Sequence, residues 1–376
     1  MGGHVKGFQE LWEHDLRDFR IVATCDLEVA RAEKMADEIA AFQGTRPTPY
    51  PALEELLTGE AGLAAVDIST VHRQHHTVAV PCLEAGKHVT IEKPLAITMR
   101  AGKVILDAAA RAGTVLQVAE NYRRAPEQRA IRWALRRGRI GRLRMIFWLD
   151  VGERLWYWTW REHRDQAGGG WPLDGGVHFA DLFRFHLGEV RDVFCQVRAY
   201  HPVRYQNEEQ REGPIPVDVE DTTFAVLTFE DNDLGQDMLG EWTSTSAAPA
   251  LRWSRRAIYG DEGCIDWSEG VKTRSGEQPL GDLAEEYRGA LSPDEAERIF
   301  PRGITNTVAT ELWEFVQACQ HGAPVETDGL EGYKAEAICL ALYESAALQR
   351  PVKVREIEEL QVEEYQRDLN EGLGLR

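Results

Sequence analysis

What most constrains this chain is an alternation, between residues 20 and 118, of short apolar runs with stretches of amphipathic helical spacing. Arg20 to Asp26, Ala64 to Ser69, His88 to Ile91 and Val115 to Val118 read as buried strands, and 48–50 as a short one. Helices are predicted over 28–41, 52–57, 75–85 and 98–112, where apolar residues recur at helical spacing. Gly86 and Gly113 stand where two of them should close in the left-handed conformation. Parallel neighbours need a crossover, so this alternation predicts an α/β doubly wound parallel sheet.

With 376 residues the chain is too long for one ordinary domain. After Val118 the pattern changes. A helix over 126–137 leads into a strand-rich region, with strands at 145–151, 193–200, 222–229, 236–243 and 256–259, then helices at 304–320 and 333–348. We expect residues 1–122 to form the first domain and 123–376 an α+β domain with a largely antiparallel open sheet. No run of eighteen apolar residues predicts a membrane span, and a formal charge of −19 argues against a nucleic-acid partner. Six scattered cysteines without a C-x-x-C pair fit a reduced, cytoplasmic protein.

The start of the chain stands apart. Residues 1–16 read as a helix that begins at once. A Rossmann-like dinucleotide domain opens instead with a strand feeding G-x-G-x-x-G, whose backbone amides hold a pyrophosphate. Only Gly2 and Gly3 remain where the last glycine belongs. We therefore expect an upstream apolar strand ending in Gly-x-Gly, checked by translating the DNA before Met1. Asp26 ends the next strand at roughly the distance of a ribose-binding acid, although it could equally cap the helix beginning at Glu28.

Chemistry concentrates in two places. Val89-Thr90-Ile91-Glu92-Lys93-Pro94 delivers a Lys to the carboxyl end of a strand, and Pro94 forces the strand to stop there. In open α/β sheets ligands bind beyond that end. The second place is the run from Gly168 to Leu182, with three successive glycines followed by Asp174, His178 and Asp181. Asp174 and His178 are four apart, so on one helical turn they share a face, where the acid could orient the imidazole as a general base. The same spacing would also suit a helix start with Asp174 as cap and His178 in the core. His72, His75 and His76 lack accompanying acids or cysteines at metal-ligand spacing, so no metal site is expected.

Together these motifs resemble the Gfo/Idh/MocA family of nicotinamide-dependent sugar and inositol dehydrogenases. The resemblance takes in Ala64 to Pro94, Glu120 to Arg123, Trp160-Arg161, Gly168 to Asp181, Val219 to Thr222 and Asp328 to Gly332. It implies an oxidoreductase in which Lys93, Asp174 and His178 form the catalytic group. It further implies that Gly2, Asp26, Thr70, Val71, His75, Glu92, Lys93, Asn121, Trp160 and Arg161 line the cofactor cleft, and that the Lys93-Pro94 bond is cis. The substrate would be a sugar, polyol, inositol or glycoside. Asp26 would repel a 2′-phosphate, which favours NAD over NADP. His178 would take the hydroxyl proton, Lys93 would stabilise the developing alkoxide, and Asp174 would orient a neighbouring hydroxyl or His178 itself.

Two rivals share the fold: NAD-assisted cleavage of a glycoside without net redox change, and a non-catalytic sugar or dinucleotide sensor. The sensor has no need of all three catalytic side chains. Five of the eleven tryptophans, Trp148, Trp156, Trp158, Trp160 and Trp171, are expected around the cleft, as a platform for a pyranose or as core and interface packing. An exposed sheet in the second domain would make a homodimer or homotetramer.

Overall fold

The computed structural model describes residues 3–375. Its first half follows the predicted alternation: α1 (Gly3–Glu13), β1 (Ala23–Cys25), α2 (Val29–Gln43), β2 (Thr48–Tyr50), α3 (Leu53–Gly59), β3 (Ala65–Ile68), α4 (His75–Glu84), β4 (His88–Ile91), α5 (Met99–Ala112) and β5 (Leu116–Val118). Gly86 and Gly113 have φ of 73° and 66°, as the closing positions require. Every strand pair here is parallel, as the alternation predicts, and the strands fall into two groups, β1–β2 and β3–β4–β5. The reason lies in the hydrogen bonds, since β1 pairs only with β2 and β3 only with β4, so no described strand bridges them.

The second half contains α6 (Pro126–Arg136), β6 (Leu143–Val151), α7 (Arg164–Ala167), α8 (Trp171–Asp174), α9 (Val177–Leu187), β7 (Val190–Arg198), β8 (Val203–Asn207), β9 (Glu212–Pro216), β10 (Thr222–Phe229) and β11 (Gly235–Thr245). These are followed by β12 (Trp253–Gly260), β13 (Gly263–Asp266), β14 (Gly270–Thr273), β15 (Gly276–Gln278), α10 (Leu280–Gly289), α11 (Pro293–Ile299), α12 (Thr307–His321), α13 (Gly329–Leu348) and β16 (Val352–Lys353). Nine strands form one sheet in the order β15-β14-β13-β12-β6-β11-β10-β7-β16. It is antiparallel as expected, apart from the β6–β11 pair.

Alternation along these strands sends one face to the core. Ile146, Trp148, Ala225, Leu227 and Trp242 point inward with α9 and α13 packed over them. Helix α13 also reaches the first domain. Gly332 lies so close to β5 that a Cβ there would come within 2.4 Å of Val118, so only glycine permits that approach. Segment 304–312 packs on Leu11 and Leu16 next to α1 in a separate small core. Helix α13 and segment 304–312 thus tie the second half to the first.

Candidate active site

At the carboxyl end of β4 the chain turns through a cis Lys93-Pro94 bond. The Lys93 ammonium donates to the backbone carbonyl of Asp174 and lies 3.5 Å from its Oδ1. Asp174 ends α8, and the same Oδ1 sits 3.3 Å from Arg161 Nε and 3.4 Å from His72 Nε2. Burial pushes this carboxyl up, but the hydrogen bond from His72 and the charges of Lys93 and Arg161 outweigh it and hold the group well below the usual carboxylate range. It stays ionised. Burial holds His72 below the ordinary imidazole range against the pull of Asp174.

His178 opens α9, and its Nδ1 is 2.6 Å from Glu120 Oε2. Here the sequence expectation fails. Asp174 meets Lys93, Arg161 and His72 rather than His178. The acid that orients the imidazole is Glu120, just beyond β5 in the other half of the chain. Burial raises the Glu120 carboxyl above its ordinary value while the His178 contact opposes it. Tyr122 stacks on the imidazole, 4.0 Å between centroids and 7° between planes, which fixes the ring orientation. With Nδ1 occupied, Nε2 is the ring nitrogen left without a hydrogen-bond partner among the described residues.

Glu120, Tyr122 and His72 are the site residues that sequence reasoning missed. Glu120 had a signal: like Glu92, it is an acid placed directly after a buried strand. Asp181, one turn beyond His178, accepts two hydrogen bonds from Arg123 and is fully buried.

The expected cofactor residues gather at the strand ends, with distinct environments. The Glu92 carboxylate is 3.2 Å from His4 Nε2, and His4 Nδ1 is 2.8 Å from Asp67, so the first turn of α1 docks on the ends of β3 and β4. Burial opposes ionisation of Glu92, but His4, Lys93 and His178 bring its pKa down to about 2. The Thr70 hydroxyl, two residues beyond β3, is buried without a partner. Val71 leads into the turn at His72–Gln74, accepting from Gln74 N at 2.9 Å.

His75 has its Nδ1 2.8 Å from the Pro94 carbonyl and its Nε2 3.3 Å from that of Thr70. Burial lowers its pKa to about 4, so the ring is neutral and has one N–H to donate, the nearer acceptor being the Pro94 carbonyl. Asn121 donates to the Thr307 hydroxyl at 2.8 Å. Trp160 packs edge-on against His72, and the Arg161 guanidinium lies 4.3 Å from the Trp160 ring. Asp26, at the end of β1, accepts from Glu28 N at 2.8 Å, which closes a turn ahead of α2; α2 itself has Glu28 at its N-cap and no side-chain cap hydrogen bond. Gly2 lies outside the described residues.

These groups fit a dinucleotide. The Thr70 hydroxyl is a buried donor that lacks an acceptor, and like Glu92 and Asn121 it follows the carboxyl end of a parallel strand, where open α/β sheets take their ligands. Fold and site together define a two-domain, dinucleotide-dependent oxidoreductase. The chain belongs to the Gfo/Idh/MocA oxidoreductase family: the NAD-binding Rossmann domain of that family matches residues 2–120 and its C-terminal alpha/beta domain matches 132–354.

Among curated relatives, the chain is 30% identical over 302 residues to 1,5-anhydro-D-fructose reductase of Ensifer adhaerens, covering 78% of this chain and 80% of that one. It is 28% identical over 321 residues to levoglucosan dehydrogenase of Pseudarthrobacter phenanthrenivorans, with the same coverage. A solved levoglucosan dehydrogenase in complex with NADH and L-sorbose superposes with a TM-score of 0.73 at 24% identity, covering 94% of this chain and 96% of that one, a likeness of fold.

Proposed function

We propose that this protein oxidises a secondary hydroxyl of a carbohydrate-like substrate, a sugar, polyol, inositol or glycoside, with residues 1–122 binding NAD and 123–376 binding substrate. The observation that carries this reading is the pairing of a histidine whose Nε2 is free with an ammonium held by Asp174. A secondary alcohol does not ionise in neutral water, so its proton must be removed during oxidation. His178 Nε2 takes that proton while Glu120 at Nδ1 stabilises the imidazolium. Lys93 donates to the same oxygen and offsets the developing negative charge. Asp174 aims Lys93. Bound at the strand ends, NAD supplies the hydride acceptor. The reductase and dehydrogenase activities in the names of the relatives support the substrate class.

The test is a panel of sugars, polyols, inositols and glycosides with NAD, monitored for NADH. NADH formation without glycosidic cleavage is expected; cleavage without net NADH would replace this reading. The Asp26 carboxylate repels a 2′-phosphate, so the Michaelis constant for NADP should exceed that for NAD by at least about tenfold, a repulsion of about 1.4 kcal/mol. Preference for NADP would refute the role of Asp26.

We further propose a cytoplasmic homo-oligomer built through the outer face of the large sheet. All six cysteines are free thiols, which suits a reducing compartment. On that face Phe194 pairs with Val226 and Met145 with Leu239, and all four are exposed together with Phe224. Such an apolar patch on a sheet face suits burial against a second copy. Light scattering should give a multiple of 42.5 kDa, and Val226→Glu should shift it toward the single-chain mass. A native protein at the single-chain mass would rule this out.

A further inference from the structure

Four tryptophans lead outward from the catalytic group. Trp171, in α8, lies against Gly175, where a Cβ would come within 2.5 Å of the indole. Its ring therefore covers the backbone that joins Asp174 to the helix of His178. Trp158 follows with its centroid 6.1 Å from Trp171, and Trp156 lies 5.6 Å beyond Trp158. The Arg161 guanidinium lies 4.9 Å from the Trp158 ring and 4.3 Å from the Trp160 ring while its Nε faces Asp174. The aromatic line is continuous with the site.

It is also held in place. The Tyr157 N–H donates to Tyr205 O, and the Tyr205 N–H to Leu155 O, each at 2.8 Å, so residues 155–157 are paired with β8. The Glu208 carboxylate accepts from the backbone N–H groups of Leu155 and Trp156, both at 3.0 Å. Thr159, between Trp158 and Trp160, has φ 54°, a left-handed conformation that a β-branched residue adopts only when its surroundings impose it.

Core packing does not account for these rings. Trp148 and Trp242 are the fully buried tryptophans of the sheet core, whereas Trp156 and Trp171 are 38% and 37% exposed. None of the four indole N–H groups of Trp156, Trp158, Trp160 and Trp171 donates to a protein acceptor among the described residues. The Arg154 guanidinium lies 5.1 Å from the Trp156 ring and 5.6 Å from that of Trp158, so a cation already covers part of both; the ring surface still exposed, beside unused donors, matches a ligand with an apolar face and a polar edge.

Resting on the carbohydrate-oxidation reading above, we infer that the substrate is a glycoside with two rings: the oxidised ring lies at Lys93 and His178, and the second packs on Trp158 and Trp156. At 6.1 Å and 5.6 Å between centroids Trp171, Trp158 and Trp156 pack on one another as one surface, and the second ring lies along it, outside the reacting centre.

The test compares glucose, galactose and xylose, each as the free sugar, methyl glycoside, phenyl glycoside and a disaccharide, with the full chain and NAD. Phenyl glycosides or disaccharides should show kcat/KM at least about tenfold above the free sugar and methyl glycoside of the same series. The higher of the two tells an aryl from a sugar second ring. Trp156→Ala and Trp158→Ala should each lower that ratio severalfold, and adding the two-ring ligand to the native protein should perturb its indole fluorescence. A ratio near one, or one that neither variant moves, overturns the second-ring site and leaves the dehydrogenase reading standing. Absence of NADH with every member of the panel overturns both.

Discussion

His178→Ala lowers kcat by about 10²–10⁴, the range for removing a positioned general base, while the Kd for NAD measured by fluorescence stays close to native. The expectation follows from which nitrogen is free. Glu120 occupies Nδ1, Tyr122 holds the ring plane, and Nε2 alone remains to meet a hydroxyl. Lys93→Ala should lose turnover to a comparable extent, because the ammonium stands where alkoxide charge develops.

Glu120→Gln separates positioning from catalysis. Losing the carboxylate removes the partner that stabilises the imidazolium while leaving the base in place, so kcat falls by less than in His178→Ala. Near-native turnover in either alanine variant would remove that residue from the mechanism.

The largest expected effect on stability comes from Asp181→Ala. Asp181 is fully buried and accepts from Nε and Nη2 of Arg123, whose guanidinium is itself almost wholly buried. Burial works against the Arg123 charge, but the attraction of Asp181 with that of Glu326 and Glu331 more than offsets it and keeps it ionised. Removing the acid takes away the main partner of a buried cation and leaves it Glu331 at 3.3 Å, a loss toward the lower end of about 3–5 kcal/mol. Denaturant unfolding should show it as a lower midpoint. Replacing both partners with apolar residues of similar volume should recover much of the loss, since Glu331 keeps Arg184 and Glu326 keeps Arg124 and Arg129. A single variant as stable as the native chain would show that the pair contributes nothing net. The pair also joins the exit from β5 to α9, so the shift should reach the Glu120–His178 contact.

The comparison of sequence with structure turns on a few residues. Lys93 was legible because a β-branched run stopped by proline places it at a strand end whatever the rest of the chain does. The strands and helices of the first half were legible for a similar reason: their apolar periodicity is local, and so are the glycines that close two of the helices. The pairing of β1 with β2 alone was not, since hydrogen-bonded neighbours are a property of the assembled sheet. The Asp174–His178 reading failed because spacing along the chain does not choose partners: Asp174 meets Lys93, Arg161 and His72, while His178 meets Glu120.

Local chemistry thus determined which segments carry the proposed catalytic side chains and that an α/β part would be followed by an α+β part. Tertiary structure decided the partners. Glu120 and His178 are 58 positions apart, and Lys93 and Asp174 are 81 apart, distances over which no backbone periodicity acts. Only packing of the two halves across the cleft brings each acid to the base it serves, because hydrogen bonds and charge interactions in a buried site depend on separation in space and not along the chain.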